Sequence, residues 1–203
     1  MNVNRGFLRG VMAGIALLLL AGCGVNDIPR YDEGSKAAWS QVLNQYQRRA
    51  DLIPNLVETV KGYAAHEQEV LTTVVEARSK VARMQLPADI LTNPEAFKTF
   101  QANQAALSSA LARLLAVVEA YPDLKANQSF LALQSQLEGT ENRIAVARRD
   151  YIESVRLYNT ELRTIPGRWW AAWLYPDATL KETFAVDESV QQVPKVSFDG
   201  SSS

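Results

Sequence analysis

Histidine and cysteine occur once each in 203 residues, as His66 and Cys23. A lone cysteine excludes an internal disulfide, and a lone histidine excludes di-metal bundle sites that draw a histidine from each of two helices. His66-Glu67 opens like a zinc-peptidase motif, but the second ligand is needed one helical turn on, where the chain has Val70. No metal and no cofactor is expected. Charge of one sign is also missing, with 21 basic against 22 acidic residues. Without a clustered basic surface, nucleic acid is not an expected partner. The chain has no glycine-rich phosphate loop, no nucleophile elbow and no fixed-period repeat. The apolar run from Val11 to Leu20 is too short for a comfortable membrane span. Strand-like alternation is absent as well, which leaves helical periodicity to organise an apolar content large enough for one core.

Arg5 and Arg9 precede that apolar run, and Leu20-Ala-Gly-Cys23 closes it. Positive residues, a short apolar core and small residues before a cysteine are the pattern of a bacterial lipoprotein signal. Residues 1–22 read as the signal peptide, with cleavage before Cys23 and acylation, palmitate included, of the cysteine. Two or more chains anchor stably, since each buried methylene contributes about 0.8 kcal/mol and one chain alone is marginal. The alternative is an uncleaved signal anchor with an incidental cysteine. The expected location is the bacterial cell envelope on the periplasmic face, and Gly24 after the cysteine favours the outer membrane in a Gram-negative cell. Residues 23–34, with Pro29 and Gly34, read as a tether.

From Tyr46, steps of four and three select Ala50, Ile53, Val57, Val60, Ala64, Glu67, Leu71, Val74, Arg78 and Val81. Only Glu67 and Arg78 break this apolar helical seam. A helix from about Ser35 to Met84 would span roughly 75 Å at about 1.5 Å per residue. Pro54 interrupts it and predicts a kink or a restart, because an interior proline removes a hydrogen bond at a cost of about 3 kcal/mol. Asn93-Pro94 predicts the start of a second segment, which carries Phe97, Phe100, Gln104, Leu107, Leu111, Leu114, Val118 and Tyr121. A third starts near Asn127 and runs to Thr164, with Phe130, Leu137, Ile144, Tyr151, Val155, Tyr158, Leu162 and Ile165 on one face.

The run Arg49-Ala-Asp-Leu-Ile-Pro-Asn-Leu-Val57, then Thr59 to Ala64, His66-Glu67 and Ala77-Arg78, resembles the signature of the LemA family. Asn127 to Leu131 and Leu137 to Arg149 resemble its second half, although Ile152 stands after Tyr151 where the family usually has asparagine. The resemblance covers about Trp39 to Phe184. It implies an all-α, antiparallel up-and-down four-helix bundle, here over residues 35–184, with a long kinked first helix or a helix pair. Residues 185–203 read as a disordered tail. The resemblance also implies an envelope-associated protein whose relatives' genes neighbour those of membrane proteins and proteases.

Buried charges need partners, so Glu67 and Arg78 suggest a polar layer with Glu138, Glu141, Arg143 and Arg148. The expected pairs are Glu67 with Arg143 or Arg148, and Arg78 with Glu141. The same layer also suits a role that only fixes packing register. Asn55, Lys61, Tyr63 and His66 form a candidate partner surface, with His66 read as a surface residue and not a catalyst. Trp169, Trp170, Trp173 and Tyr175 either meet lipid or fold back over one bundle end, and the shared face of Trp169 and Trp173 favours the fold-back. The leading reading is a non-enzymatic, lipid-anchored scaffold. Its expected partners are the membrane, through Cys23, and an envelope or membrane protein, with self-association left open. Two further classes stand beside it: a hydrolase or hydrolase accessory using Glu67, His66 or Glu138 with Glu141, and a component of a membrane-shaping or transport assembly.

Overall fold

The computed structural model describes residues 24–184, which contain helices and no strand. The elements are α1 (Asp27–Lys61), α2 (Gln68–Ala82), α3 (Pro94–Val118), the single turn α4 (Pro122–Lys125), α5 (Gln128–Arg163) and α6 (Gly167–Leu174). The signal segment, Cys23 and the tail expected at 185–203 lie outside the described residues.

Cross-helix bonds fix the directions of the four long helices. Arg78 on α2 reaches back to Ala50 on α1, and Tyr121 beyond α3 reaches Glu67 before α2. Arg49 meets Glu141 and Tyr63 meets Asn127, so advancing along α1 means retreating along α5. The result is an antiparallel up-and-down bundle. α1 and α5, with 35 and 36 residues, form its most extensive pairing. Two helix starts match the sequence. Asn93 Oδ1 accepts from Ala96 N at 3.1 Å with Pro94 behind it, and Asn127 Oδ1 accepts from Phe130 N at 3.0 Å. Each satisfies a donor that a helix start leaves free.

Two boundaries differ from expectation. α1 begins at Asp27, so most of the stretch read as a tether is helical. Pro29 falls in the first turn, where its missing N–H has no intrahelical role. Gly34 faces open space, and Ile28 is buried. The first helix also passes through Pro54 and ends at Lys61, with the chain turning through Gly62 to Glu67 before α2. Ala64 is buried inside that turn, which is why the apolar seam continues across the break.

Apolar burial falls into two clusters. One holds Ile53, Leu56, Val60, Val74, Leu107, Leu114 and Phe130 around the α1–α2 turn end. The other holds Trp39, Val42, Tyr46, Phe97, Phe100, Tyr151 and Phe184. Each fully buried large side chain contributes about 1.5–3 kcal/mol. Trp39 sits at the hub of the second cluster, with ring centroids 5.0 Å from Phe100, 5.3 Å from Tyr151 and 5.5 Å from Phe97.

Phe184 reaches this cluster because residues 176–184 return along the bundle as an extended strap. Tyr151 Oη donates to Glu182 O at 2.8 Å, Glu182 N to Leu91 O at 2.7 Å, and Asn159 brackets the Lys181 backbone with two bonds of 2.9 Å. Phe184 thereby packs into the second cluster, against Trp39, Phe97 and Tyr151. Trp169 and Trp173 are 54% and 77% exposed, which corrects the fold-back expectation. Ile165, expected on the inner face of the last long helix, is exposed because α5 ends at Arg163.

Candidate functional site

Arg49 is the largest fully buried side chain and lies between the two apolar clusters. Its Nη1 donates to Ser108 Oγ at 2.7 Å and to Glu141 Oε1 at 2.9 Å. Its Nη2 donates to Gln104 Oε1 at 2.7 Å and to the Gln104 carbonyl at 3.3 Å. The guanidinium also stands 5.0 Å from the Tyr46 ring centroid. Removing such a charge from water costs several kcal/mol, and these acceptors offset it. Ser108 Oγ donates onward to Gln104 O at 3.2 Å, so the hydroxyl beside the charge is committed to structure. The layer joins α1, α3 and α5.

Arg78 adds α2 by a different route. Its Nε donates to the carbonyl of Ala50 at 3.0 Å. Residue 54 is the position whose N–H would normally bond that carbonyl, and it is proline. A side chain from the neighbouring helix thus supplies the donor that Pro54 lacks, which explains why α1 survives its interior proline.

Of the six residues proposed for a polar layer, Arg78 and Glu141 lie in it, but not as a pair. Glu67 sits at the α1–α2 turn and accepts from Tyr121 Oη at 2.9 Å, far along α5 from Arg143 and Arg148. Arg148 lies with its guanidinium 4.4 Å from the Phe184 ring centroid. Arg143 is exposed beside Gln41 and Gln45, and Glu138 is an exposed acceptor of Gln134. Sequence reasoning left Arg49 out of the layer. Its signal was available, since it lies one turn after Tyr46 and one turn before Ile53 on the buried face.

The four partner-surface candidates are all exposed. Asn55 and Lys61 lie on the last turns of α1, and Tyr63 and His66 in the turn that follows. Tyr63 accepts from Asn127 Nδ2 at 2.8 Å while 45% exposed. Among the described residues no three His, Cys, Asp or Glu side chains converge as metal ligands, and no helix is long and apolar enough to cross a membrane.

At the opposite end of the bundle lies a second buried cation. Lys181 Nζ is 2.7 Å from Asp32 Oδ1, bonds the Ser35 hydroxyl and stands 4.7 Å from the Tyr158 ring centroid. Burial draws the Lys181 amine below its ordinary pKa, against the pull of Asp32. Burial pushes the Asp32 carboxyl up, but hydrogen bonds from Lys181 and Lys36 outweigh it, and the group is held below 3.8. Burial, with Glu182 adding to it, raises the Tyr151 phenol, consistent with its role as a donor.

Residues 38–198 match the model of the LemA family. The chain belongs to the LemA family. Magnetosome protein MamQ 2 of Paramagnetospirillum magneticum is 28% identical over 177 residues, covering 79% of this chain and 64% of that protein. Magnetosome protein MamQ of Magnetospirillum gryphiswaldense is 25% identical over 187 residues, covering 81% and 68%. Protein LemA of Metamycoplasma hominis is 24% identical over 139 residues, covering 68% and 59%. This LemA-family chain thus spans just under two thirds of the length of MamQ 2. The residues that first carried the LemA resemblance include Arg49, Pro54 and Arg78, which form the cross-helix layer. Their geometry joins helices to one another.

Proposed function

We propose that this LemA-family protein is a non-enzymatic interaction module of the bacterial envelope, anchored by acylated Cys23 and presenting the α1–α2 turn to a protein partner. The observation that carries this reading is the commitment of the buried polar groups. Arg49 and Arg78 donate to other helices, Gln104 and Ser108 accept from Arg49, and His66 stands in solvent. Family membership supports an envelope-associated protein without catalysis, and relatives named as magnetosome proteins support work at a membrane-associated structure.

The geometry suits a post. α1 starts near the anchor and runs 35 residues, roughly 50 Å at about 1.5 Å per residue, so Asn55, Lys61, Tyr63 and His66 stand at the far end. Photo-crosslinking in cells, with the probe placed in turn at these four positions and at Arg143 on the side of α5, tests the reading. The expected result is one shared envelope-protein adduct from the four and none from Arg143. Equal adducts from every position, or none, would contradict it.

A further inference from the structure

The least expected surface lies at the other end. On α6, Trp169 and Trp173 stand one helical turn apart and are 54% and 77% exposed, with Leu174 beside them at 54%, and Ile165, just ahead of the helix, is 64% exposed. Trp170 points the other way, half-buried, and meets Trp173 edge-on at 6.4 Å. Exposed aromatics grouped on one short helix form an adhesive patch in water. Their amphipathic rings are most favourable where hydrocarbon meets headgroups. A helix of 8 residues is too short to cross a bilayer but long enough to lie on one.

The place of the patch decides what covers it. Tyr175 Oη donates to the carbonyl of Val25 at 3.2 Å, joining the end of α6 to the start of the described chain. Gly24, in the left-handed region at φ 92°, packs against Pro166, since a Cβ there would lie 3.8 Å from Pro166 Cγ. Residue 23, the expected acylation site, is the next in the chain. Arg163 and Arg168 flank the patch, both exposed and with no ion pair among the described residues; they are placed to meet lipid phosphates.

We propose that α6 is an interfacial docking helix, laying Trp169, Trp173 and Leu174, with the adjoining Ile165, on the surface of the bilayer that holds the N-terminus. The inference rests on the anchoring proposed above and deepens it. A single lipid tether lets the bundle swivel, whereas a second contact fixes its orientation and directs the α1–α2 turn away from the membrane.

The test uses the full chain, purified from membranes and reconstituted into phosphatidylethanolamine–phosphatidylglycerol vesicles with or without brominated acyl chains, which quench tryptophans within their reach. The expected result is a loss of emission in brominated vesicles that shrinks in the double variant Trp169→Phe/Trp173→Phe, whose circular dichroism should be unchanged. Trp39, 5% exposed in the core, should stay unquenched. Equal emission in both vesicle types from chains that float with them overturns the docking helix and leaves the anchor standing. Crosslinked dimers through position 173 without quenching assign the patch to a second copy and also overturn it. Failure to float removes the anchoring and the docking together.

Discussion

Pro54 and Arg78 lie on different helices and are understood only together. The proline leaves the Ala50 carbonyl without its helical donor, and the Arg78 Nε provides one. An unsatisfied buried acceptor costs about 1–3 kcal/mol, so Arg78→Leu should destabilise by that order in urea melts. In a Pro54→Ala background the backbone N–H returns and the same change should cost clearly less; equal costs in both backgrounds would break the link. Arg49 supports a second prediction. Glu141→Ala leaves the guanidinium bonded to Ser108 and Gln104 but removes its counter-charge. Because the Glu141 side chain is 44% exposed, the loss should fall near the lower end of about 1–3 kcal/mol. At this scale the sequence was partly readable. Charges interrupting an apolar seam predicted cross-helix bonding, and Arg78 does bond across helices. The partners were not readable, because a backbone carbonyl freed by a proline is invisible to a search for opposite charges.

Among the elements, the terminal strap depends on contacts that no local pattern encodes. Lys181 meets Ser35 across 146 residues of sequence, so nothing in helical periodicity could place 176–184 along the bundle. The cap at Asn93 and the helix start near Asn127 were legible because each rests on a short-range pattern with a fixed spacing. The α1–α2 turn was not, since buried Ala64 carries the seam through it while Pro54 draws attention to the wrong place. Asp32 makes the strap sensitive to acid. Its folded pKa lies below 3.8, so the folded state releases the proton more readily than the unfolded chain. The stabilisation is present above that value and is lost as pH falls through the folded one. Asp32→Asn should therefore lower the melting temperature at neutral pH, with the gap to wild type closing as pH drops below 4; a gap independent of pH would contradict the pairing. Gly167 tests how α6 is seated. A Cβ there would collide with the Glu161 carbonyl, which is backbone and cannot step aside cheaply. Gly167→Ala should raise hydrogen exchange and proteolysis across 164–175 while α1 to α3 stay protected.

Over the whole molecule, the two ends carry different chemistry and the middle carries the fold. The residue-24 end gathers Gly24, the strap and the exposed tryptophans, whereas the far end offers a polar turn around Tyr63 and His66. Between them, the Arg49 layer separates two apolar clusters and ties helix register across the bundle. The helical class was legible from seam spacing alone, and four alternating helices agree with the LemA resemblance. The polarity of the molecule comes from the strap and α6 lying beside the start of α1, contacts that no local pattern encodes. This orientation has meaning only if a membrane stands at the residue-24 end. Intact-mass spectrometry of the protein extracted from cell membranes measures that most directly. The account predicts a chain beginning at Cys23 and carrying a diacylglyceryl group with further acylation, shifted to the unprocessed mass by Cys23→Ser. A soluble chain whose residue 23 bears no lipid would contradict it.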